Sequence, residues 1–333
     1  MSYLYVTEQG AAISIDGNYV KVKTKDGAYR KVPIETLESV SIFSHSQMTT
    51  QCTVECLTRG IPVAYYSRTG KYFGQLESTG HIRAERQRMQ AALYESDFAV
   101  ELAKRIIEAK IHNQEVLVRR YLRNSSCKAD EELKLLSVSA KKIASCNSIE
   151  QIMGYEGTAA KNYFKCLSKM VVPEFAFQGR SRRPPRDEFN AMLSLGYSIV
   201  MNEIYGKIQS RGLNPYFGFL HRDREKHPTL ASDLMEEWRA VIVDSVVMSL
   251  VNGHEISKEH FEHDLDEPGY FLNRDGMKLF INKLIKKLET EMRYLNYVEY
   301  PVGFRRGMDL QVGELVKAIE EQDPHLYKPV WIR

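Results

Sequence analysis

The stretch that decides the fold is IEQIMGYEGTAAKNYFKCLSKM, residues 149–170. Its apolar residues Ile149, Ile152, Met153, Ala159, Ala160, Tyr163, Leu167 and Met170 recur at helical spacing, so the segment reads as one amphipathic helix. Ser148 is a fitting N-cap, and Gln151 three residues on gives a capping-box pattern. Glu156 falls on the same stripe, between Met153 and Ala160. A carboxylate turned toward a core is costly unless it is protonated, paired or bound to a metal. Two readings therefore stay open on pattern alone: a buried salt bridge to Arg or Lys, or a functional carboxylate. Gly154 and Gly157 flank it and weaken a helix by roughly 1 kcal/mol each relative to alanine. Small residues there let another segment or a ligand approach the backbone closely.

Upstream of this helix the period changes. Residues 2 to about 78 read as β-rich, with short strands at Leu4–Thr7, Ala12–Ile15, Tyr19–Lys23, Tyr29–Val32, Ser39–Ile42, Val63–Tyr66 and Tyr72–Leu76. Asp16-Gly17 and Asp26-Gly27 supply turn chemistry between them. One helix interrupts, about Gln47 to Arg59, capped by Ser46 and stopped by Gly60. Cys52 and Cys56, four apart on it, read as core residues. From about residue 81 the pattern is helical. A long helix runs from about His81 to Leu122, broken once, and another spans about Glu131–Ser145. Further helices begin near Asp187 and run from about Leu230 to Val251, with at least two more after Gly269. The fold class is α+β, with a β-rich N-terminal domain (residues 1–80) followed by a larger all-α domain (81–333).

The bulk numbers bound the function. The 333 residues suffice for two domains with cores, and a net charge of +3 does not announce a nucleic-acid binder. No apolar run reaches the roughly 18 residues of a membrane span, and the N-terminus lacks a signal-peptide layout. Five cysteines without a C-x-x-C pair point to free thiols and a cytoplasmic location.

A second cluster lies downstream. Phe219-Leu220-His221 closes an apolar segment, and twelve residues later Asp233 begins a group with Glu236 and Glu237. On a helix Asp233 and Glu236 project from one side, and His221 lies on a loop able to fold back over that helix. Histidine with carboxylates suits Mg²⁺ or Mn²⁺ when water and phosphate complete the shell. Acids in a first helical turn are equally explained by the macrodipole. His227 rivals His221, although Pro228 marks it as a loop spacer. Between helices, Arg180, Arg182, Arg183 and Arg186 surround two prolines. Such a cluster neutralises phosphates or simply forms a solvated loop.

Three segments together resemble one family, the CRISPR-associated integrase and endonuclease of spacer acquisition. They are Gly154–Phe164, Asn190–Tyr197, and Gly218–His221 followed by Thr229–Glu236. The resemblance covers the whole chain. It implies a β-rich dimerisation domain, a homodimer, and a helical catalytic domain with a divalent metal, Mg²⁺ or Mn²⁺. By position, Glu156, His221 and Glu236 would be the catalytic metal ligands, with Asp233 as second choice for the third. Thr229 stands where serine is common, and Glu237-Trp238 where Pro-Phe is common. The implied reaction is phosphodiester transesterification joining foreign DNA fragments into a CRISPR repeat array. Arg180, Arg182, Arg183 and Arg186 are then candidate DNA anchors. Implied partners are double-stranded DNA, a small ferredoxin-like adaptation subunit bridging two dimers, and a fragment-trimming nuclease, with no membrane. The alternative is a non-catalytic DNA-binding scaffold whose acids are structural.

Overall fold

The computed structural model describes residues 2–332 except Asn124, Ser126, Arg183 and residues 265–268. It divides into two compact units, Met1–Ile82 with Asn273–Lys278, and Arg83–Leu272 with Leu279–Arg333.

In the first unit alternating residues turn inward, as half-buried strands require. The strands are β1 (Ser2–Val6), β2 (Ala12–Asp16), β3 (Tyr19–Lys23), β4 (Tyr29–Pro33), β5 (Leu37–Ile42) and β6 (Gln47–Met48). After the helix α1 (Thr50–Arg59) come β7 (Val63–Tyr66) and β8 (Tyr72–Leu76). They make two four-stranded sheets, ordered β1-β5-β7-β8 and β4-β3-β2-β6. Ile13, Val20, Val40 and Val63 share one core with Cys52 and Cys56, which matches the expectation for the two thiols. The helix starts later than the sequence suggests. Gln47 and Met48 pair in parallel with Ala12 and Ile13, because the Gln47 and Thr49 N–H groups donate to Ala11 and Ile13 carbonyls. Thr49, not Ser46, is the cap, accepting from the Cys52 N–H at 3.3 Å. Gly60, at φ +69°, ends the helix in the left-handed conformation that glycine adopts without strain.

The second unit is built on helices α2 (Ala84–Ala92), α3 (Asp97–Leu122), α4 (Asp130–Ile143), α5 (Ile149–Met170) and α6 (Glu188–Ser210). The break expected in the first long helix falls at Leu93–Ser96, where the Ser96 hydroxyl donates to the Leu93 carbonyl at 2.7 Å. The α5 helix has the bounds read from sequence, with the Ser148 hydroxyl accepting from the Gln151 N–H. Met153 departs from the expected stripe and is exposed. The segment expected as one helix to Val251 is instead three pieces. They are α7 (Thr229–Met235), a wide π-type turn over Arg239–Asp244, and α8 (Ser245–Asn252).

Two short ribbons, β9 (Phe261–Asp264) with β10 (Gly269–Leu272) and β11 (Glu291–Met292) with β12 (Val302–Gly303), accompany α9 (Arg274–Glu289) and α10 (Phe304–Glu320). Nothing in the 3.6-residue period of the surrounding sequence marks these ribbons. Among the described residues no helix is long and apolar enough to cross a membrane.

Candidate metal centre

Three segments of the second unit bring charged side chains together. The α3 helix packs against α5 and against the Arg239–Asp244 turn. From α5 comes Glu156, with its side chain 19% exposed. From the end of α7 comes Glu236, 4% exposed. His221 arrives on the loop before α7, as expected.

Asp233 explains how that loop is held. Its Oδ2 accepts from the Phe219 and Leu220 N–H groups at 2.6 and 2.9 Å, and its Oδ1 from the His221 N–H at 3.0 Å. The fourth bond joins Oδ1 to His221 Nδ1 at 2.7 Å. A carboxylate only accepts, so Nδ1 carries a proton, and in the neutral ring the lone pair is at Nε2. That nitrogen lies 4.0 Å from Glu236 Oε1. Burial pulls the imidazole pKa down, but Asp233 and Glu236 together outweigh it and hold the ring above its ordinary value. Gly218 is required by closeness: a Cβ there would lie 2.8 Å from Asp233 Oδ2 and 2.9 Å from the Thr229 backbone. Both oxygens of Asp233 are thus engaged in orienting the loop. The rival His227 bonds Ser232 Oγ at 2.9 Å.

Two cations unforeseen in the sequence complete the cluster. Lys110 of α3 is 6% exposed, bonds Glu156, and lies 2.6 Å from Glu236 Oε2. The angles at that second contact are poor, so this buried oxygen has an ion pair but no well-formed hydrogen bond. Burial lowers the lysine pKa, and the two glutamates more than reverse this. Arg239 approaches Glu236 Oε1 at 3.0 Å and stacks over Tyr197 at 4.7 Å. Burial alone would raise the Glu236 pKa; Arg239 and Lys110 instead hold it well below the usual carboxylate range. Lys110 was findable, because it interrupts the apolar face of α3 beside Ile106, Ile107 and Ile111 as Glu156 interrupts that of α5.

Glu237 points the other way. It accepts from Tyr327 Oη and from the Val330 N–H at 2.6 Å, and burial raises its pKa to about 8. Its side chain is held by Tyr327 and Val330 rather than by the cluster around Glu236.

The arginine loop splits. Arg182 and Arg186 are exposed. Arg180 turns inward, donating to Asn190 Oδ1 at 2.9 Å and Ser194 Oγ at 3.0 Å beside the Tyr197 ring. Its guanidinium anchors the loop to α6 rather than facing solvent. Arg183 lies outside the described residues.

Among the described residues, no three His, Cys, Asp or Glu side chains are drawn together tightly enough to enclose an ion as they stand. The donor set itself fits one: two carboxylates, one with an oxygen lacking a good donor, and an imidazole whose Nε2 lies 4.0 Å from Glu236. Lys110 fills the place between the carboxylates. Beside Glu156, a Cβ at Gly154 or Gly157 would meet nothing within 4 Å, so this face of α5 is open.

A β-rich unit followed by a helical unit is an architecture shared with solved structures. The chain superposes on a casposase bound to integration product with a TM-score of 0.87, covering 99% of this chain and 94% of that one at 23% identity. It also matches a partial Cas6-RT-Cas1–Cas2 complex with a TM-score of 0.68, 25% identity and coverage of 100% and 99%. The chain belongs to the family described as CRISPR associated protein Cas1, whose model matches residues 4–286. A relative is the CRISPR-associated endonuclease Cas1 of Mycobacterium tuberculosis (strain ATCC 25618 / H37Rv). It is 35% identical over 325 residues, covering 97% of this chain and 96% of the relative.

Proposed function

We propose that this chain is a divalent-metal-dependent DNA endonuclease and integrase that joins DNA fragments into a CRISPR repeat array. Glu156, His221 and Glu236 would hold Mg²⁺ or Mn²⁺. The observation that carries the reading is the convergence of these three side chains, with Asp233 fixing His221 so that Nε2 faces Glu236. Family membership and the name of the 35% identical relative support the nuclease class.

When bound, the ion would polarise the scissile phosphate and stabilise charge on the departing oxygen. The protein's own residues orient the groups. Asp233 keeps His221 in one tautomer, and Arg239 fixes the carboxylate of Glu236. In integration, the 3′-oxygen of the incoming strand bonds to phosphorus while the bond to the repeat strand's 3′-oxygen breaks. One phosphodiester replaces another, with the proton of the attacking hydroxyl ending on the departing oxygen. Water in place of the hydroxyl gives cleavage. Arg182 and Arg186 are the exposed phosphate anchors of this reading, with Arg183 as a third by sequence. A homodimer, and Cas2 as the small bridging subunit, are the partners; the complex containing Cas1 and Cas2 supports the latter.

One observation favours a second reading. Lys110 neutralises both glutamates without a metal, as a DNA-binding scaffold with purely structural acids would require. Strand transfer separates the two. A labelled fragment and a supercoiled repeat plasmid are incubated with Mn²⁺ or EDTA, using wild type, Glu156→Gln and His221→Ala, each checked for folding and DNA binding. Joining that needs Mn²⁺ and is lost in both folded variants supports the enzyme. Binding without joining, even with the small subunit added, supports the scaffold.

A further inference from the structure

Lys110 sits on the buried face of α3 with its ammonium between Glu156 and Glu236. Lysine is a compact charge on a flexible four-carbon stem, able to leave a site as a unit. The charges around it do not suit a divalent ion added to what is already there. Lys110 and Arg239 already match the two carboxylates Glu156 and Glu236 in charge, and His221 would be neutral with its Nε2 as a ligand. Adding a divalent ion leaves positive charge in excess. Replacing Lys110 by that ion halves the excess. Space points the same way, since the ammonium occupies the position where both glutamates present oxygens.

We infer that Lys110 is the resident cation of this site: it holds Glu156 and Glu236 together in the metal-free protein and is displaced when a divalent ion binds. Metal affinity is then set by exchange of one cation for another, and Lys110 is a positioning residue for the ligands. This rests on the proposed metal site.

The test uses the full-length protein and Mn²⁺ alone, followed by calorimetry. Lys110→Met is expected to bind Mn²⁺ at least about tenfold more tightly than wild type, because nothing has to be displaced. In EDTA it should melt lower than wild type, with a larger rise on adding Mn²⁺. Equal or weaker Mn²⁺ binding by folded Lys110→Met overturns the inference. Should that variant not fold, wild type supplies the answer through acetylation by an N-hydroxysuccinimide ester, read by peptide mass spectrometry. Lys110 is expected to be protected in EDTA and modified faster with Mn²⁺; equal protection in both overturns exchange. Glu156→Gln separates the two levels. Mn²⁺ binding lost there but unchanged by Lys110→Met sinks exchange alone, whereas binding indifferent to Glu156→Gln sinks the metal site with it.

Discussion

Asp233→Asn tests whether a buried carboxylate that touches no substrate governs the site through a histidine tautomer. In the native protein both Asp233 oxygens accept, two backbone N–H groups on one and the His221 N–H and Nδ1–H on the other. Asparagine can keep the Phe219 and Leu220 bonds through its carbonyl. Its amide group then faces the His221 N–H, leaving one donor unsatisfied at a cost of about 1–3 kcal/mol. The same amide faces Nδ1, which must become an acceptor, so the ring proton moves to Nε2 and the lone pair facing Glu236 is lost. Losing such an orienting partner typically costs about 10–100-fold in metal affinity. A wrong tautomer in a catalytic histidine has cost about 10⁴-fold in another enzyme. The expectation for Asp233→Asn is a folded protein, Mn²⁺ binding weakened by about 10–100-fold, and strand transfer down by at least about 10²-fold. Asp233→Ala removes every acceptor and should cost on the order of 3–6 kcal/mol of stability. Long-range ¹⁵N spectra of the imidazole report the tautomer directly. Metal affinity and strand transfer both within threefold of wild type, in a folded Asp233→Asn protein, would refute the reasoning.

Gly218→Ala places a Cβ against Asp233 and Thr229, so it should lose about 1–3 kcal/mol in urea unfolding along with strand transfer; wild-type behaviour in both would remove the close-approach argument. Replacing Arg182 and Arg186 by alanine should weaken DNA binding and reduce the salt slope by about 1 for each arginine that neutralises a phosphate. Arg180→Ala should lower the melting temperature with less effect on that slope, because its guanidinium is bound to Asn190 and Ser194. Asp244 gives a pH signature. Burial raises its pKa from 3.8 to about 6, against the opposing hydroxyl bonds from Tyr163 and Tyr197. A raised carboxyl pKa contributes stability below pH 4 that is lost as pH rises through 6, about 3 kcal/mol for a shift of this size. Urea unfolding at pH 4 and pH 7 should show that component in wild type and not in Asp244→Asn; equal pH dependence in the two would assign it elsewhere.

What was legible in the sequence was local. The bounds of α5 follow from a cap and a period that lie within the helix, and the β-strands from alternation and turn residues a few positions apart. The break after α7 was not legible, because the apolar spacing from Leu230 to Met248 continues across it. What accompanies the break is distant in sequence: Asn113 donates to the Glu237 carbonyl at 2.9 Å, and Tyr327 and Val330 take the Glu237 side chain. Glu236 lies toward His221 and Glu237 away from it, as neighbouring helical residues do, but the partners that hold Glu237 lie too far along the chain to be read from spacing. Arg180 was indistinguishable from its neighbours for a similar reason, since its partners Asn190 and Ser194 lie on the next helix. Glu156 shows most clearly where pattern ends. A buried ion pair and a functional carboxylate were alternatives as long as the stripe was the only information. The pairing with Lys110 makes them compatible, because under the proposed exchange a carboxylate awaiting a divalent ion would need a counter-charge in the meantime, and a lysine could supply one and then withdraw.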